Sequence, residues 1–593
     1  MTQDNLTAKQ LDANGLSDIA VFLPAISGFY ATFVGKQRDP VAGPYVDPAR
    51  MPAGLKDMEM MNWLNDQKGL FPYKWSLYSG GHANLDLTKH DWSEDMVRSR
   101  DPKTLMLGDS GGFQIAKGLW EGEWRDPTSP EVLDKMAELK AKGIEHVLDL
   151  KPDGTPKHDK NGNKKYVKID HVKNYQNLLD AAQKKREAVV KWLDGICDYG
   201  MTLDIPTWVI HDKKASDACG ITTLEEAVAA TKYNNDYYMK HRKGAKNGGM
   251  KVLNVLQGAN HADADRWYET MKHYCDPNVY PDTHFDGWSM GGQNMCDVEL
   301  ILKRLVALKF DGLLKEGVHD WMHFLGTSKL EWAVLLTDIQ RSVRKYINPA
   351  FTISFDCASP FLATANGQVY HQIDLPHEGK WCYRMSPIVD DKKYSTDTRP
   401  YGQAVLQDGL LDYTKDGKII PGHFDESPIS LRLQMKDICI YKPGDLNKIG
   451  KEGKTSWDSF SYALLMGHNV WMHIESVQRA NREYDSGSYP YMMKHDIPSG
   501  EGEFFRDIID RIFSEPDRDK ALAIINENKY SSANGYWNQI IGTRGFKGKK
   551  ATSSRPMFDM LFEIEEETVD TPDDDSVQLD QAALDQLEQE QRA

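Results

Sequence analysis

The chain has 593 residues, with 88 acidic against 72 basic side chains and a formal net charge of −16. That length accommodates a large catalytic domain with additions, since about 250 residues suffice for a (β/α)8 barrel. It holds no 18-residue apolar run, and its N-terminus lacks the basic and apolar regions of a signal peptide, so the expectation is a soluble, cytoplasmic protein with no membrane partner.

The excess acid is concentrated at one end. Residues 563–593 carry twelve acids and one arginine, a net of −11, which leaves −5 for the preceding 562 residues. Against that nearly neutral body two basic stretches stand out, 151–168 and 544–555. Their Lys164, Lys165, Lys168, Arg544, Lys547, Lys549 and Lys550 are candidate phosphate contacts. Each stretch taken alone also reads as a solvated hairpin or loop. The seven cysteines are scattered and form no Cys-x-x-Cys pair, which argues against a disulfide framework and for reduced thiols.

Residues 1–17 are polar and read as a flexible N-terminus. Asp18-Ile-Ala-Val-Phe-Leu-Pro24 reads as a first buried strand, followed by a long connection with one helical stretch over 55–65. Thr104-Leu-Met-Leu-Gly-Asp-Ser-Gly-Gly-Phe-Gln114 is an apolar run that stops at an acid and a glycine-paired turn, as a parallel strand does where it opens into a site. An Asx turn ending a strand would read the same way. Asp153-Gly154 and Asn161-Gly162 mark a hairpin excursion over 146–168, and 170–195 has helical spacing.

From there strands and helices alternate. Strands are expected at 200–206, 251–258, 285–292, 323–326 and 351–360, with helices at 224–242, 262–274, 298–308 and 330–346 between them. This alternation implies a parallel sheet with right-handed crossovers, and polar or glycine residues at the strand ends point to a (β/α)8 barrel with its site at the carboxyl face. A doubly wound open sheet is the competing architecture. The barrel with its insertions is assigned to 18–480, including an insertion over 361–455 with turns and short strands, before a helix at 457–481. A mainly helical C-terminal extension follows over 481–562, with a helical stretch at 503–528 interrupted near Ser514-Glu-Pro516. The acidic tail, 563–593, is expected to be disordered at Pro572-Asp-Asp-Asp575 and to offer 579–587 to a protein partner.

The strand-end residues Asp109, Asp204, Gln257, Gly291, Gly292 and Asp356, with Phe113 and Leu325 as apolar faces, form a candidate constellation. Carboxylates accept from ring N–H donors, while an amide and backbone N–H groups donate to a carbonyl, so the set can read the edge of a guanine-like base. Two carboxylates also suit glycosidic chemistry, one as nucleophile and one as acid and then base.

Gly-Asp109-Ser-Gly-Gly-Phe-Gln114, Asn254-Val-Leu-Gln-Gly258, Met290-Gly-Gly292 and Phe355-Asp-Cys-Ala-Ser-Pro360 resemble, in order, motifs of the tRNA-guanine transglycosylase superfamily. Leu150-Lys-Pro-Asp-Gly154, Asn366-Gly-Gln-Val-Tyr370 and Asp397-Thr-Arg-Pro400 fit further. The resemblance implies that Asp356 is the nucleophile of a covalent glycosyl-enzyme and that Asp109 binds the base and handles its proton. It also implies that Asp204 recognises the amine edge of guanine, Gln257 and the Gly292 N–H donate to O6, and Phe113 and Gln114 lie against the base. Leu325 falls where the family has methionine, and the family's Asp-Glu-Cys reads Asp204-Ile-Pro206.

Two further departures shape the expectation. Of the family's zinc cysteines only Cys439 is present, in Asp437-Ile-Cys-Ile-Tyr-Lys442, beside a possible histidine ligand, His473, so no zinc or other cofactor is expected. Phe361-Leu362 replaces the Thr-Arg that faces the tRNA loop. Both departures make the chain most similar to the DNA 7-deazaguanine transglycosylase branch of phages and bacterial DNA-modification clusters. The implied activity is exchange of guanine in DNA for a free 7-deazaguanine such as preQ0, by base flipping. Exchange on tRNA, a non-catalytic nucleic-acid-binding subunit and a hydrolase releasing the base to water are the alternatives.

Overall fold

A computed structural model describes residues 17–415, 417–441, 455–495, 502–527 and 536–540. Eight parallel strands form one sheet: β1 (Val21–Pro24), β2 (Trp75–Ser79), β3 (Leu105–Asp109), β4 (Tyr199–Met201), β5 (Lys251–Leu256), β6 (Gly287–Met290), β7 (Trp321–Phe324) and β8 (Thr352–Cys357). Their spatial order is β1-β8-β7-β6-β5-β4-β3-β2. Between the two end strands a parallel bridge joins Ala25 to Leu77, and the Ile26 N–H donates to Leu77 O at 2.9 Å. The sheet therefore closes, and the chain is an α/β (β/α)8 barrel.

The expected strand order holds with one omission. β2, whose five residues lie in the long connection after β1, is not among the strands expected from the sequence. A helix is also expected over 55–65, where the structure has only the 3-10 turn Met58–Met61.

The crossovers carry α1 (Gly28–Gly35), the short helix Asp95–Arg98, α2 (His171–Ile196), α3 (Leu224–His241), α4 (His261–Met271), α5 (Val298–Phe310) and α6 (Leu330–Tyr346). The helix after β8 is displaced by the insertion and arrives as α7 (Ser459–Asp485). Side-chain caps set several starts. Thr223 and Glu226 form a capping box on α3, while Asp297 and Asp458 cap α5 and α7, each cap contributing about 1 kcal/mol.

The insertion holds two antiparallel hairpins, Gln368–Asp374 with Cys382–Pro387 and Tyr413–Lys415 with Lys418–Ile420. In the C-terminal extension, α8 (Phe505–Ser514) and α9 (Arg518–Asn526) are separated at the expected Ser514-Glu-Pro516 break. The extension docks on the barrel's outer helices: Lys309 donates to the carbonyls of Phe513 (2.8 Å) and Glu515 (2.7 Å), and Lys345 pairs with Asp510 at 2.6 Å. Among the described residues no helix is long and apolar enough to cross a membrane.

Candidate active site at the carboxyl mouth

Asp109 and Asp356 each stand at the carboxyl end of a barrel strand. Ser79 is the register partner of Asp109, and Leu23 that of Asp356. Closure through β1 and β2 brings β8 and β3 to the same rim, and the negative charge of Asp356 acts on Asp109. Each carboxylate has its own surroundings.

Asp356 is buried, and both of its hydrogen bonds fall on one oxygen. His323 Nε2 and the Gly326 N–H each lie 3.0 Å from Oδ1, which leaves Oδ2 without a partner among the described residues. Behind His323 the register sets Ser354 opposite it, one layer below Asp356 on the same face. Trp321 Nε1 donates to Ser354 Oγ at 2.8 Å, and Ser354 Oγ lies 2.8 Å from His323 Nδ1. A carboxylate oxygen accepts from Nε2–H, and with the ring proton on that nitrogen the Ser354 hydroxyl, which itself accepts from Trp321, can donate to Nδ1. The result is a buried chain of donors, Trp321 to Ser354 to His323, aimed at the carboxylate. His323 and Ser354 were missed in the sequence because a histidine within Trp-Met-His-Phe carries no pattern of its own.

Asp109 also has two donors, one on each oxygen. Ser79 Oγ, also missed, donates to Oδ2 at 2.6 Å, and the Gly111 N–H reaches Oδ1 only at 3.4 Å. Burial is the main reason that its carboxyl group is held above the usual aspartate range, and Asp356 adds to the rise while Ser79 and Gly111 oppose it. Gly111, at φ 90°, adopts a backbone that L side chains resist, and a Cβ there would meet the Trp120 ring at 2.4 Å.

Asp204 follows β4 and is buried against Gln257, whose Nε2 donates to Oδ2 at 2.8 Å. Burial, with a contribution from Asp109, pushes Asp204 up to about 7. No family model matches the chain, and no curated protein does. The chemistry of the mouth therefore has to be read from its own residues.

The amide oxygen of Gln257 is buried with no hydrogen-bond partner and is packed beside the Gly291-Gly292 turn. A Cβ at Gly291 would meet Gln257 Nε2 at 2.7 Å, and one at Gly292 (φ 57°) would meet Gly258 O at 2.5 Å. The Gly291 N–H is bound to Leu256 O at 2.8 Å, so Gly292 is the member of the pair available to a ligand. Phe113 lies 6.2 Å from the Trp208 ring, and the Lys117 ammonium sits over both at 5.4 and 5.3 Å, an aromatic and cationic ledge beside Asp109. Leu325, half-buried, lies at the Gly291 turn on the far side. Gln114 is buried, with an unpartnered Oε1 and its amide against Gly81.

Lys164, Lys165 and Lys168 are exposed on the expected hairpin, whose strands are Ile144–Leu148 and Tyr166–Asp170. Arg544, Lys547, Lys549 and Lys550 lie outside the described residues, as does the acidic tail. The residues of the possible zinc site do not fit that metal. Cys439 Sγ donates to Val389 O at 3.1 Å, whereas His473 stacks on Phe22 at 4.2 Å and faces Cys357 Sγ at 3.7 Å. Burial lowers His473 to about 3, and among the described residues no group of three or more potential ligands is arranged to hold a metal ion.

Proposed function

We propose that this chain is a base-exchange enzyme that replaces guanine in DNA with a 7-deazaguanine, such as preQ0, through a covalent glycosyl-enzyme. The observation that carries this reading is the pairing of Asp356, with one oxygen held and one open, with Asp109, whose buried carboxyl resists losing its proton. Such divergent surroundings are what a double displacement asks of its two acids. The motif resemblance supplies the substrate class, and the Phe361-Leu362 departure favours DNA over tRNA.

In the first step Asp356 Oδ2 attacks C1′ of the flipped nucleotide. The C1′–N9 bond breaks, the C1′–O bond forms, and Asp109 gives its proton to the departing guanine. In the second step the incoming base attacks C1′ from the vacated side, the C1′–O bond breaks, and Asp109 takes the N–H proton back. Asp204 accepts from the ring N–H and exocyclic amine, the Gln257 amide and the Gly292 N–H donate to the O6 carbonyl, and Phe113 and Leu325 bracket the ring.

Incubating the protein with radiolabelled guanine and either duplex DNA or bulk tRNA tests the reading. Label is expected in DNA, and Asp356→Ala is expected to lower incorporation at least about a thousandfold. Label in tRNA alone would overturn the DNA assignment, and abasic product without label would replace exchange by hydrolysis.

A further inference from the structure

The connection between β3 and α2 is much larger than the mouth requires. It contains the helix Pro130–Lys142 and the two-stranded ribbon, with tip turns at Gly154 and Gly162, each at φ 80°. At 1.5 Å per residue, the 26-residue α2 is about 39 Å long, well beyond the height of the short barrel strands. Val189, Val190, Trp192 and Leu193 in its last turns join the main core, whereas Tyr175 and Leu179 in its first half join Val132 and Leu139 in a separate small core. An α/β crossover helix runs back down from the carboxyl rim. The first half of α2 and the ribbon before it therefore extend past the carboxyl rim that bears Asp109 and Asp356.

The ribbon is uncovered on both faces. Tyr166 is 58% exposed and Ile144 50% on one side, and Val167 44% and Val147 39% on the other. A lone two-stranded ribbon is marginal in water, and apolar groups left out on it mark a surface that something covers.

The charges indicate what covers it. All five acids of the ribbon are engaged locally. Glu145 pairs with His171 at 3.2 Å and Asp149 with Lys157 at 2.8 Å. Asp153 and Asp159 accept backbone N–H groups of their own turns, and Asp170 caps α2. Lys151, Lys160, Lys164 and Lys168 are exposed and have no acidic partner among the described residues. Lys164 and Lys168 thus lie two residues either side of the exposed Tyr166, at alternate positions of the chain, with Lys151 and Lys160 toward the tip. Phosphates and base faces complement that alternation, whereas an apolar protein surface would leave the lysines unanswered.

We propose that this ribbon is the arm that opens duplex DNA over the mouth, its lysines holding the phosphates on either side of the target and Tyr166 occupying the gap left by the flipped nucleotide. The inference rests on the DNA reading of the site and adds the means of duplex opening.

The test uses the full chain with Tyr166→Ser, at an exposed apolar position, and separately with the four free lysines changed to glutamine. Guanine incorporation is measured on a duplex and on the same sequence with the target in an unpaired bubble, and binding by fluorescence anisotropy across salt concentrations. The apolar variant is expected to lose ten- to a hundredfold on the duplex and no more than twofold on the bubble. The lysine variant is expected to bind both substrates more weakly with a shallower salt dependence. Equal loss on both substrates, or full activity of the apolar variant on the duplex, would overturn the arm. So would a wild-type dimer in sedimentation that the apolar variant converts to monomer, because the ribbon would then belong to a second copy. Absence of incorporation by the wild type on both substrates would instead fail the exchange reading, and loss of duplex binding by the lysine variant would still report on the arm.

Discussion

On the β7–β8 side of the mouth, Asp356 is met by a backbone N–H and by a histidine backed by serine and tryptophan, all converging on one oxygen. On the β3–β4 side, Asp109 and Asp204 are both held above the usual aspartate range by burial, with Asp356 adding to the rise of Asp109 and Asp109 to that of Asp204, and they share only a hydroxyl, a long amide contact and one glutamine between them. One rim is built from donors and the other from burial and like charge. The same residue type is thereby placed in two different surroundings, which the proposed exchange uses for a nucleophile on one rim and a proton carrier or base reader on the other.

The comparison can be broken from either side. Removing the proposed proton carrier has the largest expected effect: Asp109→Asn is expected to lower turnover by about 10²- to 10⁴-fold, measured as steady-state incorporation. Disconnecting the donor chain comes next. His323→Phe leaves Oδ1 with one donor and is expected to lower kcat by about ten- to a hundredfold with little change in KM, since a hydrogen bond to a charged group is worth about 1.5–3 kcal/mol. His323→Gln, which keeps an N–H near the Nε2 position, should recover most of that loss; equal damage from both variants would reduce His323 to a packing residue.

Asp204 gives a pH dependence of defined sign. Its folded-state value of about 7 lies above the aspartate value of the unfolded chain, so the folded state holds the proton more tightly. Its contribution to stability is present below the unfolded value and is lost as pH rises through about 7. Chemical denaturation of the free protein between pH 5 and 8 should show that decline, and Asp204→Asn should flatten it. Ser79→Ala is the smallest perturbation. Loss of one hydroxyl donor raises the proton affinity of Asp109 further, with a few-fold fall in kcat and a displaced pH profile as the readout.

The architecture was legible wherever strands ended in chemistry. Asp109 and Asp356 were readable because an apolar run that stops at an acid is a local pattern; seven of the eight barrel strands showed themselves as apolar runs, and three of those end at an acid. β2 did not, because Trp-Ser-Leu-Tyr-Ser is short, has no β-branched residue and lies among prolines and glycines. Its omission hid Ser79. His323 and Ser354 were hidden for a different reason: their role exists only in the register between β7 and β8, which sets a histidine of one strand opposite a serine of the next, one layer beneath the acid. Pairing across strands is a property of the closed barrel and leaves no mark in either segment. The small core of Val132, Leu139, Tyr175 and Leu179 was likewise invisible, since it joins a helix before the hairpin to one after it.

The account turns on Asp356 Oδ2 becoming bonded to C1′. The most direct measurement is to incubate the protein with DNA without an incoming base, denature it rapidly, digest both polymers and locate the linkage by peptide mass spectrometry. The account predicts a nucleotide remnant on the peptide containing Asp356, released when a free 7-deazaguanine is added before denaturation. A remnant on Asp109 would exchange the two roles, and base exchange proceeding with no linkage at either residue would contradict the covalent mechanism.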